Sequence, residues 1–343
     1  MTSKLITTCI YLGICLTSAV GKTYAQDNNR GRHIQLTLGV EHPPLSEKTK
    51  DIFNNDIDSI CHILQHRFSA LGVIDVKLKS DLANSAILLH VTWPYDDDKL
   101  RTYVTAMGKL EILETYSNEE FFPYLLGIND SMGAPKPTDY LTPQRTKEED
   151  FKYHNPVFTV IYPYLSKNTQ LVQGPIIGMS MRKDAEKLGH LLANEILKSM
   201  WPSDAQLAMS HTKSEDTTYY LYALKTPKKQ NSTITTKDIR LAKAVYDDKY
   251  SRKELVILEM TPAGTRKWKE MTARNIGKYI AVVLENQVFC APKVLDTITK
   301  GGAMIEADLT AEQATDIANI INNGQMPLPL HIIHQELLDM DKR

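Results

Sequence analysis

The stretch ELVILEMTPAGTRKWKEMTARNIGKYIAVVLENQVFCAPKV, residues 254–294, carries nearly every local signal a short α+β unit needs. ELVILEM (254–260) alternates as a strand does. Thr261-Pro262 then opens a helix, with threonine at the N-cap and proline at the first helical position. The helix carries Trp268 and Met271 on one side and ends at Asn275-Ile276-Gly277, where glycine can take the left-handed closing conformation. KYIAVVL (278–284) and QVFCAP (287–292) form a hairpin around Glu285-Asn286.

Working outward, Gly301-Gly302 turns the chain into a short strand, 303–309. Thr310-Ala311-Glu312-Gln313 is a capping box, in which the first and last side chains each take the other residue's amide. The helix it opens puts Ala314, Ile317, Ala318 and Ile321 on one face, Gly324 closes it, and Pro327 and Pro329 prevent its resumption. Upstream, the pattern predicts strands at 34–40, 73–79, 86–92 and 109–116 and helices at 49–71 and 96–107. The first helix buries Ile57, Ile60, Leu64 and Phe68, and Gly72 ends it. Asp96, Asp97 and Asp98 stand at the start of the second, where carboxylates cap free amides; adjacent side chains do not converge on a metal unaided. Residues 118–155 read as a polar linker with scattered helical signals. A strand region at 156–165, a turn and strand at 173–181, a helix at 182–199, a strand region at 201–209 and LYALKTP (221–227) follow.

Two runs, 254–294 and GGAMIEADLTAEQATDIANIINNGQMPLPLHII (301–333), resemble the first periplasmic domain of SecD, a membrane subunit that assists the Sec protein translocase. The resembling features are the helix ending in N-I-G, the strand pair ending in C-A-P, the GG turn and the helix closed by G-Q-M-P-L-P. Cys290 departs from the serine or tyrosine usual there, and Glu285-Asn286 replaces a common Asp-Gly or Asp-Asn turn. ILQHRFSALGVIDVKL (63–78) and KLEILETYSNEEFFPYLLGIN (109–129) are similar to earlier segments of that domain. Residues 173–184 resemble the longer version found in fused SecD–SecF proteins of Bacteroidota. The resemblance implies an α+β fold: a split ferredoxin-like base with an inserted α+β head. The expected divisions are a signal peptide at 1–25, base at 26–117, linker and variable insertion at 118–216, head at 217–307, and base again at 308–343.

Composition is ordinary for a globular protein, 42% hydrophobic and 24% charged. Lys4, an apolar run from Leu5 to Val20 and Thr23-Tyr24-Ala25 predict a cleaved export leader; at about 16 residues the run is short for a span of roughly 20. Ile14 disfavours lipidation at Cys15. Removing Met1–Ala25 takes away Lys4 and Lys22 and no acid, leaving 38 basic against 41 acidic residues. A charge near −3 gives no electrostatic case for nucleic acid or an anionic membrane surface. Lys225, Lys228 and Lys229 read as a solvated loop. The expected location is the periplasm, with no transmembrane segment after cleavage. Cys61 and Cys290, the two cysteines beyond the leader, are expected as buried free thiols.

No motif calls for catalysis. His62 and His66 share the i, i+4 spacing that can chelate zinc, but Cys61 points about 100° away around the helix and no further ligand follows. His331 and His334, three apart on a strand, are expected on opposite sides. There is no G-x-S-x-G, HExxH or P-loop, and the Asn231-Ser232-Thr233 sequon is uninformative. The expectation is no enzyme, no cofactor and no metal. The resemblance implies a partner instead: an unfolded or emerging polypeptide, with the Sec translocase nearby and no proton coupling within this chain. The alternative is a scaffolding module that docks on the translocase or another envelope complex without an unfolded client. Asn118 and Thr310 are the expected hinge residues. Met260, Met271 and Met304 are the expected polypeptide contacts, with core packing as their competing role.

Overall fold

A computed structural model describes residues 31–42, 47–133, 147–211, 216–226, 233–249, 251–306 and 309–338. In chain order the first third holds β1 (Arg32–Val40), α1 (Glu47–Ala70), β2 (Val76–Asp81), β3 (Ala86–Trp93), α2 (Asp97–Thr105) and β4 (Leu110–Thr115). The middle holds α3 (Asn118–Gly133), α4 (Lys147–His154), β5 (Tyr162–Pro163), β6 (Ile176–Met181), α5 (Ala185–Ala193), α6 (Glu195–Lys198), β7 (Ala205–Met209) and β8 (Thr218–Lys225). The last third holds β9 (Ile234–Thr235), β10 (Ile239–Asp247), β11 (Lys253–Met260), α7 (Pro262–Arg274), β12 (Ile280–Leu284), β13 (Gln287–Cys290), β14 (Gly302–Glu306), α8 (Ala311–Asn322) and β15 (Leu330–Leu337). The expected leader, including Cys15, lies outside the described residues, as do Asn231-Ser232 of the sequon and Lys228-Lys229.

The chain divides into two units. One draws on Glu111–Ile234 and Pro262–Asp308; the other takes the described residues up to Leu110, Thr235–Thr261 and the described residues from Leu309 onward. The second unit contains an antiparallel sheet of order β15-β1-β3-β2, with α1 joining β1 to β2. That is the ferredoxin-like strand order, its fourth strand arriving from the far end of the chain after α8. Alternation sends Ile34, Leu36 and Leu38 of β1 and Ile87, Leu89 and Val91 of β3 to one face, where they meet Ile57, Ile60, Leu64 and Phe68 of α1. All four helix residues are fully buried. Each contributes on the order of 1.5–3 kcal/mol by leaving water. The predicted α1 face is the one the protein uses.

Arg67 of α1, also fully buried, ties three segments of this unit together. Its guanidinium donates to Tyr103 O (3.1 Å), Ala106 O (2.6 Å) and Gly324 O (3.4 Å), carbonyls at the ends of α2 and α8. Gly108 sits against the same spot with φ +71°, and a Cβ there would meet Gly324 O at 2.5 Å. Beside it Lys99 Nζ reaches Glu312 (2.6 Å) and Asp316 (3.0 Å), and Tyr103 OH donates to Asp316 (2.7 Å). Burial pushes the Asp316 carboxyl above the usual carboxylate range despite those bonds. The capping box at α8 forms as expected: Thr310 Oγ1 accepts from Gln313 N, and Gln313 Oε1 accepts from Thr310 N.

In the other unit β8 is central. β6 and β4 pair along one side of it and β7 along the other, β12 continues beyond β4, and β13 closes the hairpin with β12. Ser210 bridges Val288, so the β7 end of the sheet meets β13. One face of these strands buries Leu113, Tyr222, Leu224, Ala281, Val283 and Val288 together. The other packs Leu221 and Ala223 against Phe121, Leu125 and Ile128 of α3 and Leu188 of α5. Glu285 and Asn286 take φ of 51° and 62°, the left-handed pair that a tight two-residue hairpin requires.

Three sequence expectations are corrected. Residues 118–133 are a helix rather than linker, its core residues Phe121, Leu125 and Ile128 at helical spacing. The helix expected over 182–199 is interrupted at Asn194, whose side chain caps a new turn by accepting from Ile196 N and Leu197 N. His331 and His334 lie on the same face, not opposite faces. A bulge between Thr37 and Leu38 in the β1–β15 register inserts Ile333, so His334 pairs with Thr37 and His331 with Gly39.

Candidate functional site

The site is assembled where β4 runs into α3. Ser117 Oγ accepts from Glu120 N (3.2 Å), and Glu120 Oε2 accepts from Ser117 N (2.8 Å), a reciprocal cap that starts the helix. Asn118 is fully buried; its amide donates to Gly174 O (2.7 Å) and its Nδ2 to Tyr164 O (3.0 Å) and Val172 O (3.1 Å). These bonds fix the 164–174 loop against the helix start. Across from it, Gly277 N donates to Val294 O and Val294 N to Lys278 O (both 2.8 Å), joining the segment after α7 to the one after β13. Tyr279 O accepts from Thr115 N and Thr115 Oγ1 (both 3.3 Å), which brings this pair of segments to β4.

Between the two walls lies a cleft of about 270 Å³, lined by Thr115, Ser117, Glu119, Glu120, Gln173 and Gly174 on one side and Gly277, Lys278, Tyr279 and Lys293 on the other. Acidic and basic side chains therefore face one space. Lys225 extends the basic side: its Nζ is 3.7 Å from Glu120 and 4.4 Å from the centre of the Tyr116 ring. Burial, then the bond to Asp204, pushes the Tyr116 hydroxyl well above its usual range, so it stays protonated and donates. The Ser117 and Thr115 hydroxyls are both engaged as described. The cleft offers charge of both signs and hydrogen-bonding groups, in walls held by backbone bonds.

Apolar residues are exposed in the chain segments next to its lining residues. Ile276, next to Gly277, is 52% exposed; Leu295, two residues after Lys293, is 71% exposed, and Ile298 is 39% exposed. The strand and helix periodicities gave no warning of these three, because they sit in irregular segments. The signal available was N-I-G and V-L-D-T-I, apolar residues set singly among turn formers.

The residues singled out from sequence are dispersed. Met260 (6% exposed) ends β11 in one unit, and Met271 (1%) is buried on α7 in the other; both pack in cores. Met304, 54% exposed on β14, is the one of the three that solvent reaches. Asn118, read as a hinge, is locked inside its unit, while Thr310 caps α8 in the other. Among the described residues, no three His, Cys, Asp or Glu side chains gather as a metal site, His62, His66, Cys61 and Asp96–98 included. Asp96 caps α2 by accepting from Lys99 N. Cys61 and Cys290 are free thiols, pushed up to about 11 and about 12, burial being the main cause in each. No helix among the described residues is long and apolar enough to cross a membrane.

Comparison with known proteins converges. The family model of the SecDF P1 head subdomain matches residues 210–328. Over 99 residues the chain is 39% identical to the protein translocase subunit SecDF of Thermus thermophilus, covering 29% of this chain and 13% of that protein. Over 186 residues it is 28% identical to the protein translocase subunit SecD of Rhodothermus marinus, covering 53% of this chain and 28% of that one. A crystal structure of SecDF in a super-membrane-facing form superposes with a TM-score of 0.52 over 92% of this chain and 32% of that one. At 19% identity, that likeness speaks to the fold alone. The chain spans less than a third of the length of each of these three proteins. Family match and relatives agree on a SecD-type P1 domain within this chain, residues 210–328 matching the SecDF P1 head subdomain.

Proposed function

We propose that this chain binds polypeptide in unfolded or extended form and thereby assists protein translocation at the periplasmic side of a membrane, next to the Sec translocase. The observation that carries the reading is a cleft lined with charge of both signs, with exposed Ile276, Leu295 and Ile298 in the chain segments next to its lining residues. A polypeptide without fixed sequence needs this combination, since its apolar side chains gain from exposed apolar residues while its backbone amides and carbonyls find polar partners. Export with a new N-terminus near Gln26 belongs to the same proposal and is read from the mass of the mature protein.

The test is fluorescence anisotropy with a reduced, carboxymethylated and labelled protein, which cannot refold. Ile276 and Leu295 are both exposed, so Ile276→Glu/Leu295→Glu is expected to fold normally and to weaken binding at least tenfold. Unchanged affinity in that variant would remove these two residues from the binding site. Absence of binding by the unaltered chain would overturn the polypeptide reading.

A further inference from the structure

Asn322, near the end of α8, makes an unusual pair of bonds. Its Oδ1 accepts from Ala242 N (2.7 Å) and its Nδ2 donates to Ala242 O (2.8 Å). These are the two bonds that a residue of a neighbouring strand would make. Ala242 lies on β10, which is an outer strand of its sheet and pairs with β11 on its inner side. The bonds to Asn322 therefore show that the Ala242 amide and carbonyl point outward. The β10–β11 register is unbroken from Leu241 to Asp247. In an antiparallel pair the direction of backbone groups alternates residue by residue, so those of Ala244 and Tyr246 point outward too, and those of Lys243 and Val245 point to β11.

The open edge is bounded at both ends. Asn322 occupies it at Ala242. At the other end Asp247 folds the chain back, its carboxylate accepting from Lys249 N (3.2 Å), Ser251 N (2.7 Å) and Ser251 Oγ (2.8 Å). Between them, no described residue takes the outward groups of Ala244 or Tyr246. Tyr246 is 58% exposed and Ala244 half-buried, which leaves an edge that is neither bulged nor blocked by proline.

We infer that the outer edge of β10 from Ala244 to Tyr246 docks an extended polypeptide segment by strand addition, with Asn322 as the stop that sets its register. The identity of the ligand rests on the polypeptide-binding reading above; the residues are independent of the cleft. A second copy of this chain is the other candidate for such an edge, and size argues against it. Three to four residues of strand extend roughly 10–13 Å. Two-fold pairing over that length covers a few hundred Å² at most, against roughly 1,200 Å² or more in a stable complex. A transient extended segment needs no such area. It contributes four backbone hydrogen bonds at Ala244 and Tyr246 and lays one side chain against the Tyr246 ring.

Ala244→Pro tests this directly, because it removes an outward N–H while the bonds to β11 stay intact; proline is tolerated at such edge positions. Binding of the labelled, carboxymethylated protein is measured for the full chain, Ala244→Pro and Ala244→Val, with hydrogen exchange of the unaltered chain alongside. Strand addition predicts at least a tenfold loss for Ala244→Pro, little change for Ala244→Val, and slowed exchange at Ala244 and Tyr246 when the probe is added. Ala242 is protected throughout by Asn322. If the chain binds the probe but Ala244→Pro binds equally and the two amides exchange unchanged, the inference is overturned and the polypeptide reading stands. If the chain binds no probe, the polypeptide reading fails and takes this one with it. Protection that rises with protein concentration alone, together with a dimer in sedimentation that Ala244→Pro abolishes, assigns the edge to a second copy and overturns the inference.

Discussion

At the residue scale, His211 shows how burial fixes a protonation state. It is 2% exposed, its ring lies 5.6 Å from that of Phe289, and Gln287 Oε1 meets Nδ1, which therefore holds the proton. Nε2 has no partner among the described residues. Burial first, and the positive charge of Arg182 second, push its pKa down to about 3. A histidine ordinarily titrates near 6.5, so between that value and about 3 the unfolded chain takes up a proton that the folded chain refuses. The stabilising contribution is complete above about pH 6.5 and is lost progressively as pH falls towards the folded value. One proton corresponds to about 1.4 kcal/mol per pH unit. Urea unfolding between pH 7 and 4 should thus show His211→Gln losing stability on acidification less steeply than the unaltered chain, by up to that slope. Parallel curves would mean that His211 is protonated in the fold. None of this was legible in the sequence, because the burial of His211 depends on β7 reaching β13.

At the element scale, legibility tracked how local the cause was. α8 was read correctly because its cap, its apolar face and its terminator all lie within fifteen residues of sequence, and α1 because one face repeats over three turns. α3 was missed although Phe121, Leu125 and Ile128 stand at helical spacing: Pro123 and Gly127 interrupt the pattern, and the buried Asn118 looks polar until the carbonyls of Tyr164 and Val172 are brought to it. The opposed-face expectation for His331 and His334 failed since counting by twos holds only while no residue is inserted, and a bulge is set by the partner strand. Asn322 was invisible for a similar reason, as a helix-terminal asparagine reads as a stop signal rather than as a surrogate strand. The cap of α8 gives a clean local test. Thr310→Ala removes the acceptor for Gln313 N and half of a reciprocal pair, with an expected cost of roughly 0.5–2 kcal/mol. A midpoint in urea identical to the unaltered chain would show that the box adds nothing beyond what water supplies.

At the scale of the whole molecule, the split ferredoxin-like arrangement was legible because the strands and helices of its beginning and end carry their own periodicities, and the family resemblance joined them. Which strands share a sheet was less legible. β8 was read as the entry to a separate head, yet it pairs with β6 and β7, residues assigned to the insertion, since period-two alternation names a strand without naming its neighbour. The residues gathered around α1 share no member with those gathered around β8. Cooperative unfolding in one step requires cores that gain and lose their contacts together. The tryptophans divide with the units, Trp93 in the ferredoxin-like one and Trp201 and Trp268 in the other, so each can be followed alone. Ile317, fully buried on α8, belongs to the unit of Trp93. Truncating it to alanine should cost that unit roughly 2–5 kcal/mol. In a background with Trp201 and Trp268 replaced by phenylalanine, Ile317→Ala is expected to move the urea midpoint of Trp93 fluorescence downward. In the reciprocal background, with Trp93→Phe, the midpoint reported by the other two should stay within error. Equal shifts in both backgrounds would show that the units unfold as one body.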